Sequence, residues 1–189
     1  TIDSFAKAAK RCEDAGFDGV ELHGAHGYLI AQFLGAKTNR RLDEFGGDVF
    51  QRMTFLNKII DAVRNTVSSK FAILVRLSPV SDDTGISLED TLKVCESLLS
   101  KSIDGLHISC WDVFEKHSSG KTLTKEISKF INQRIPIIST GSVWTGHDAQ
   151  FLLEQGAYGV GVARVALPFP DWPHSSASLD YSPDKPPFT

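Results

Sequence analysis

The sequence predicts an α/β fold in which repeated strand–helix units build a parallel sheet. Segments with strand character alternate with segments of helical periodicity along most of the chain, which is typical of βαβ units. Residues 71–77 are almost entirely apolar, as expected of a parallel strand that is buried on both faces. From the second strand on, successive strands begin roughly 25 to 32 residues apart, and this spacing suits the strand–helix unit of a barrel.

Five strands are predicted, at residues 17–23, 71–77, 103–109, 135–141 and 159–164. Helices are predicted between them from apolar residues that recur three and four positions apart. The first helix covers residues 4–15 and stops at Gly16. The strongest amphipathic pattern, which predicts one continuous helix, is formed by Val49, Met53, Leu56, Ile60 and Val63.

Capping boxes mark the start of two further helices. In this motif a Ser or Thr and a residue three positions later satisfy the first free backbone N–H groups of the helix. Ser87 with Asp90, and Thr145 with Asp148, fit the motif, and another helix is predicted to open at Thr124. The helix after Ser87 is expected to bury a stripe formed by Leu88, Leu92, Cys95 and Leu99.

Composition and charge exclude several classes of protein. The chain has 189 residues, 41% of them hydrophobic, and a formal net charge of -3, which gives no reason to expect a nucleic-acid or anionic membrane partner. No apolar run approaches the roughly 20 residues that a membrane helix needs. Three cysteines without a Cys-x-x-Cys pair indicate a reducing compartment, so a cytoplasmic protein is expected.

The ends of the chain differ from its middle. The first residues, from Thr1, contain neither an initiator Met nor a signal peptide, which predicts a piece of a longer polypeptide. Six of the eight prolines fall in residues 165–189, so this segment is expected to be an irregular tail. The predicted organisation is therefore a partial barrel over residues 1–164 followed by that tail.

The segment that carries most information about function is 17–28. Its apolar run ends at His23, and His26 and Tyr28 follow within six positions. A buried strand that delivers polar residues at its C-terminal end is how α/β enzymes build active sites. The spacing leaves three interpretations open: catalysis by two imidazoles and a phenol, a metal site that includes Glu21, and a structural role.

The same segment resembles the Old Yellow Enzyme family of FMN-dependent NAD(P)H oxidoreductases. The similarity extends, in family order, over residues 15–29, 32–34, 38–47, 75–79, 138–142, 161–164 and 170–173. It implies the (β/α)8 TIM-barrel family, with about five C-terminal β/α units present and the first three strands missing. The N-terminal part of the barrel, or a second copy of the chain, is then the expected protein partner.

The resemblance implies a role for each residue near the first predicted strands. His23 and His26 hold the oxygen of the substrate, in a His-His version of a site that is more often His and Asn. Tyr28 gives a proton to the substrate carbon. Arg76 lies near the pyrimidine end of the flavin, although an ion pair of Arg76 with Glu21 is the structural alternative. NADH or NADPH supplies the electrons, and the substrate is a small electrophilic alkene or quinone.

The end of the chain is expected to bind the FMN phosphate. The residues implied are Gly141, Ser142, Ala163 and Arg164, because loops after the last two strands of such barrels commonly bind phosphate. Ala163 departs from the family, which usually has Gly there, so its methyl group is expected to weaken binding. Outside this set, Arg41 and Asp43 are predicted to form a structural salt bridge.

Two alternatives to the flavin enzyme stay open. One is a metal-dependent barrel hydrolase that uses Glu21, His23 and His26, whereas the flavin enzyme needs no metal. The other is a truncated, flavin-free relative that acts as an interaction module, which the missing strands and Ala163 favour. The remaining histidines are interpreted as non-catalytic, namely His107, His117, His147 and His174.

Overall fold

A computed structural model of the protein describes residues 1–184. Its strands are β1 (Gly19–Gly24), β2 (Ala72–Leu77), β3 (Gly105–Ser109), β4 (Ile137–Thr140) and β5 (Gly159–Gly161). They form one five-stranded sheet in the order β1-β2-β3-β4-β5, and β1/β2 and β4/β5 pair in parallel. All five predicted strands are therefore present, each shorter than its sequence pattern suggested.

Helices separate the strands as predicted. They are α1 (Ile2–Asp14), α2 (Leu29–Leu34), α3 (Val49–Arg52), α4 (Thr54–Arg64), α5 (Leu88–Leu99), α6 (Leu123–Ile131), α7 (Gly146–Glu154) and α8 (Trp172–Ser175), with a 3-10 turn at Arg164–Ala166. Within the described residues 1–184, no helix combines the length and the apolar character needed to cross a bilayer. By backbone contacts the chain divides into a first unit, Thr1–His107, and a second unit that begins at Ile108.

In the first unit, β1 and β2 bury one face against helices. Leu22, Ile73 and Val75 are 0 to 4% exposed, and α1 packs against both β1 and α4. Ile59 and Ile60 of α4 are equally buried, because the apolar face of this helix recurs at helical spacing. This packing leaves the opposite face of β1 and β2 for polar side chains.

The second unit has its own hydrophobic cluster. It consists of Val113, Val143, Trp144, Leu152, Ala157, Val165 and Trp172. Trp172 also donates its indole N–H to the carbonyl of Trp144 at 2.7 Å. Two members of the cluster thus come from the predicted tail, which contains a 3-10 turn and α8. The boundary between residues 1–164 and the tail, 165–189, stays a prediction. The last five residues of the tail lie outside the described part.

The continuous helix predicted over Val49–Val63 is wrong, although its apolar residues are all buried. The helix is interrupted at Met53, between α3 and α4. Asp48 begins α3 with a complete capping box, in which Gln51 is the reciprocal partner. The periodicity of apolar residues shows which residues face the core. A break in the helix that keeps the same residues buried does not change this pattern, so the sequence does not reveal it.

Other helix details also differ. Ser87 caps α5 by accepting the N–H of Asp90, but no reciprocal bond forms, and the residues that α5 buries are Thr91, Val94, Cys95 and Leu98. Helix α6 is capped by Thr122, not opened at Thr124. The Thr145–Asp148 capping box is confirmed.

A buried arginine explains why the Ser87–Asp90 box is incomplete. Arg52, whose side chain is only 7% exposed, is 2.5 Å from the carboxylate of Asp90. Its other N–H groups donate to the carbonyl of Leu34 at 2.8 Å and that of Gly47 at 2.9 Å. The Asp90 carboxylate therefore serves a buried cation instead of the helix N-terminus. Arg52 joins the end of α2, the loop before α3 and the first turn of α5.

We expect Asp90→Ala to lower the free energy of unfolding by about 3 kcal/mol, because it leaves the buried Arg52 cation without its counter-charge. Glu89→Ala is the matched control. Glu89 lies in the same first turn of α5 but is 78% exposed and pairs with Lys93, so a much smaller loss is expected. Urea denaturation of the two variants measures the difference, and equal losses would contradict the role assigned to Arg52.

Candidate functional site

The pairing of β1 with β2 determines which side chains face the candidate site. Successive side chains of a strand point to opposite faces of the sheet. Leu22 of β1 is buried on the helix-covered face, so Glu21 and His23 lie on the other face. In the parallel register, Glu21 pairs with Leu74 and His23 pairs with Arg76. His23 and Arg76 are therefore neighbours across two strands on the polar face.

The turn after β1 brings His26 and Tyr28 back towards His23. His26 and Gly27 have φ values of 58° and 71°, which reverse the chain direction before α2. The His26 N–H donates to the Ser78 hydroxyl at 3.1 Å, which fixes this turn against the segment after β2. The ring centroid of His23 lies 5.0 Å from that of His26 and 5.4 Å from that of Tyr28. The structure thus gathers the three predicted catalytic side chains.

The two imidazoles are electrostatically similar. Burial lowers the pKa of both His23 and His26 below the usual value for histidine, and the positive charge of Arg76 lowers each further. Glu21 opposes the change in both cases. Each imidazole is therefore neutral at pH 7 and retains one N–H donor. Two neutral donors can hold a developing oxyanion without themselves giving up a proton to it.

Tyr28 supplies a hydroxyl at an accessible position. The residue is 64% exposed and forms the N-terminal boundary of α2, where its backbone N–H donates to the Ala25 carbonyl at 3.2 Å. A phenol hydroxyl can donate its hydrogen to a neighbouring group. Next to two oxyanion donors, such a group can act as a general acid.

Glu21 pairs with two partners on the polar face. Its Oε2 atom is 2.7 Å from His107 Nδ1, and its Oε1 atom is 3.9 Å from Arg76 Nη1. The structural alternative for Arg76, an ion pair with Glu21, is thus present as a long contact. Burial lowers the pKa of His107, against the opposing effect of Glu21.

The sequence predicts a non-catalytic role for His107 and does not pair it with Glu21, which the structure does. The two residues are 86 positions apart, and only the strand pattern links them. Glu21 and His107 both lie on strands of a packed sheet, where an ionisable side chain needs a hydrogen-bond or charge partner. This need for a partner is the sequence signal that could have linked the two residues.

The geometry does not form the proposed metal site. Glu21 contacts His107 and Arg76 instead of completing a set with His23 and His26. Among residues 1–184, no group of three or more His, Cys, Asp or Glu side chains has an arrangement that could hold a metal ion. The hydrolase alternative therefore lacks a ligand set in the described part of the chain.

The second unit gathers the residues predicted to bind phosphate. Gly141 and Ser142 follow β4 with φ values of 143° and 56°. The Ser142 hydroxyl donates to the Trp111 carbonyl at 3.0 Å and accepts from Arg164 Nη2 at 3.4 Å. The Arg164 guanidinium also lies 5.9 Å from the ring centroid of Trp144. A cation, a hydroxyl and a tight turn are thereby brought together.

Two sequence arguments about this group change with the structure. A Cβ at Gly141 would lie 2.3 Å from the Cys110 carbonyl oxygen, so close packing alone requires glycine there. Ala163 has φ −136° and is exposed, so its backbone does not need glycine. Strands β4 and β5 end at Thr140 and Gly161, which leaves Arg164 in a 3-10 turn and not at the end of a strand.

The side chains present fit the cofactor that the resemblance implies. The exposed Arg164 and the Ser142 hydroxyl suit a phosphate, since a guanidinium can bind phosphate bidentately. In the first unit, Arg76 supplies a positive charge suited to an electron-rich ring carbonyl.

The loop salt bridge predicted between Arg41 and Asp43 is also confirmed. Its guanidinium lies 5.7 Å from the centroid of the Phe33 ring.

Comparison with known proteins assigns the family. A model of the NADH:flavin oxidoreductase / NADH oxidase family matches residues 1–178. The probable NADH-dependent flavin oxidoreductase YqiG of Bacillus subtilis (strain 168) is 39% identical over 180 residues, which are 90% of this chain and 48% of that protein. An NADPH dehydrogenase of Geobacillus sp. (strain WCH70) is 32% identical over 190 residues, which are 94% of this chain and 53% of that protein.

Solved structures give the same result. Morphinone reductase in complex with tetrahydroNAD superimposes with a TM-score of 0.81 at 25% identity, over 98% of this chain and 50% of that one. An Old Yellow Enzyme homologue from Zymomonas mobilis has a TM-score of 0.81 at 29% identity, over 97% and 52% of the two chains. The chain spans about half the length of these relatives, which agrees with the predicted partial (β/α)8 barrel. The chain belongs to the NADH:flavin oxidoreductase / NADH oxidase family, and the resemblance to the Old Yellow Enzyme family is confirmed.

Proposed function

We propose that this chain is part of an FMN-dependent NAD(P)H oxidoreductase of the ene-reductase type. The observation that carries the proposal is the gathering of His23, His26 and Tyr28 at the end of β1 in a member of the NADH:flavin oxidoreductase family. The proposed substrates are small electrophilic alkenes or quinones, and the proposed location is the cytoplasm. The electron donor, NADH or NADPH, and the partner proteins stay predictions.

The roles proposed for the first-unit residues follow from their chemistry. FMN, when bound, supplies hydride transfer between NAD(P)H and the substrate. The N–H groups of His23 and His26 hold the substrate oxygen as its negative charge grows, and one such donor is typically worth about 100-fold to 1000-fold in rate. Tyr28 gives its hydroxyl proton to the substrate carbon. The His-His form of the site, in place of His and Asn, is part of the proposal.

The second-unit residues are proposed to bind the cofactor phosphate. Arg164 and Ser142 are already hydrogen-bonded to each other, so the hydroxyl and the guanidinium are held together before a ligand arrives. Gly141 keeps the turn close to Cys110 and so fixes the position of Ser142. We propose that Ala163 does not prevent phosphate binding. Its side chain is exposed, and its negative φ value is one that does not require glycine.

The phosphate assignment predicts a difference between FMN and riboflavin. Arg164→Met should weaken FMN binding by at least about tenfold, since hydrogen bonds to charged groups are among the strong ones. Riboflavin has no phosphate, so its affinity should not change. Fluorescence quenching titrations of both flavins measure this, with Lys129→Met, an exposed lysine in the same unit, as the control. Equal weakening of both flavins would refute the phosphate role, and failure of the parent protein to bind FMN would favour the flavin-free alternative.

The proton-donor role predicts that Tyr28→Phe separates the two half-reactions in the flavin-bound protein. Loss of a general acid should slow alkene reduction by at least about 100-fold, while flavin reduction by NAD(P)H should be unaffected. Stopped-flow absorbance follows the two steps separately. Tyr158→Phe changes another exposed tyrosine and should alter neither step. A Tyr28 variant that slows both half-reactions equally, or neither, would rule out the assigned role.

The neutral state of the imidazoles predicts how stability depends on pH. The pKa values of His23, His26 and His107 are lowered in the folded protein, whereas an unfolded histidine titrates near 6.5. The unfolded chain therefore binds protons first as the pH falls, so the free energy of unfolding should be greatest above about pH 6.5 and decline below it.

Urea denaturation at pH 7.5 and pH 5.5 measures this decline. The His23→Gln/His26→Gln double variant lacks two of the three groups and should lose less stability over the same interval. A decline as steep as that of the parent protein would show that these imidazoles do not carry the effect.

A further inference from the structure

Glu21 lies between two positively polarised groups on the polar face of β1 and β2. One carboxylate oxygen is 2.7 Å from His107 Nδ1, and the other is 3.9 Å from Arg76 Nη1. The His107 side chain is 11% exposed, the Arg76 side chain 25% and the Glu21 side chain 32%. The contacts therefore join a buried imidazole, through Glu21, to a partly buried guanidinium beside the candidate site.

The contact with Glu21 fixes the tautomer of His107. A carboxylate only accepts hydrogen bonds, so the short contact requires a proton on Nδ1 of the neutral imidazole. The other ring nitrogen, Nε2, is then an acceptor, and it is buried without a hydrogen-bond partner among the described residues. His107 is thus oriented through Nδ1, and its N–H group holds the Glu21 carboxylate from the buried side.

The register of the two strands makes the position of Arg76 important. Arg76 pairs with His23 across the ladder, and its charge lowers the pKa of both His23 and His26. A long arginine side chain has considerable rotamer freedom. Whatever restrains the guanidinium therefore determines how strongly its charge acts on the two imidazoles.

We propose that Glu21, held by His107, is a positioning residue that anchors the Arg76 guanidinium beside the His23–His26 pair. Glu21 contacts neither the substrate nor the cofactor in this role and acts through Arg76. The anchored guanidinium would serve the flavin and substrate of the proposed function, so the biological role of this arrangement rests on that function. The anchoring itself is a property of the ligand-free protein.

A double-mutant cycle on the ligand-free protein tests the anchoring. NMR titration of the His23 ring is the readout, because the charge of Arg76 acts on it directly. Arg76→Met should raise the pKa of His23 in the parent protein. In the Glu21→Gln background the guanidinium loses its ion pair with the carboxylate, so the same substitution should have less than half of that effect. Equal effects in both backgrounds would overturn the proposal, since independent residues contribute additively.

Two substitutions of His107 test its part in the arrangement. Asn at position 107 can present an N–H close to where Nδ1 lies, whereas Leu cannot. His107→Asn should preserve the dependence of the His23 pKa on Arg76, and His107→Leu should reduce it as Glu21→Gln does. Equal behaviour of the two variants would overturn the role of His107. These variants also provide the test if Glu21→Gln does not fold, as judged by circular dichroism.

Glu44→Gln is the matched control. Glu44 is an exposed glutamate that pairs with Lys58 in the same unit, so its replacement changes the net charge equally without touching the Arg76 contact. The cycle on Arg76 should be the same in this background as in the parent. A comparable loss of coupling would mean that net charge, not anchoring, is responsible.

Flavin titration separates this proposal from the proposed function. If FMN binds, Glu21→Gln should weaken it by at least about threefold, and Arg76→Met should add little once Glu21 is gone. If FMN does not bind to the parent protein but the ligand-free cycle is non-additive, the anchoring stands and the flavin assignment fails. An additive cycle overturns the anchoring whether or not FMN binds.

Discussion

The strict alternation of side chains along β1 and β2 is the constraint on which the candidate site depends. One face must be apolar because helices cover it, and Leu22 and Val75 occupy that face. The neighbours of these two residues along each strand point to the opposite face. Glu21, His23 and Arg76 therefore share a face. A shift of one residue in the register would turn the polar groups of the shifted strand towards the hydrophobic core. Burial of the apolar face therefore specifies the site as firmly as any polar contact does.

This constraint also creates an electrostatic problem on the polar face. Arg76 lies on a strand of a packed sheet, where a charge is costly unless another charge compensates it. Glu21 provides that compensation at 3.9 Å and is itself held by His107. The charges thus nearly cancel, while His23 and His26 stay neutral because burial and the Arg76 charge lower their pKa values. Neutral donors and one restrained cation suit a ligand that gains negative charge.

Sequence reasoning recovered those features that depend on local pattern. The alternation of strands and helices, the buried residues of the segment around Met53 and the Thr145 cap all follow from spacing along the chain. The features it missed depend on partners distant in sequence. Asp90 does not complete its capping box because Arg52, 38 positions away, takes the carboxylate. His107 looked inert because its partner lies 86 positions away. Local propensity cannot choose between a helix terminus and a distant buried cation.

Backbone strain adds an independent argument for the candidate residues. Within residues 1–184, the non-glycine residues with positive φ are His26, Asn132, Gln133 and Ser142. Asn132 ends α6 in the left-handed conformation, an ordinary way to terminate a helix, and Gln133 follows it directly with a φ of 60°. His26 and Ser142 instead lie in turns after strands, where such a conformation costs on the order of 1–3 kcal/mol.

Each of these two residues is held in its strained conformation by a specific hydrogen bond. The His26 N–H donates to the Ser78 hydroxyl, and the Ser142 hydroxyl donates to the Trp111 carbonyl. Strain that the surroundings enforce in this way is found preferentially at functional sites, because it aims a side chain that an unstrained turn would direct elsewhere. The sequence indicates His26 and Ser142 by their chemistry alone, and their positive φ values after strands are a separate observation on the same two residues.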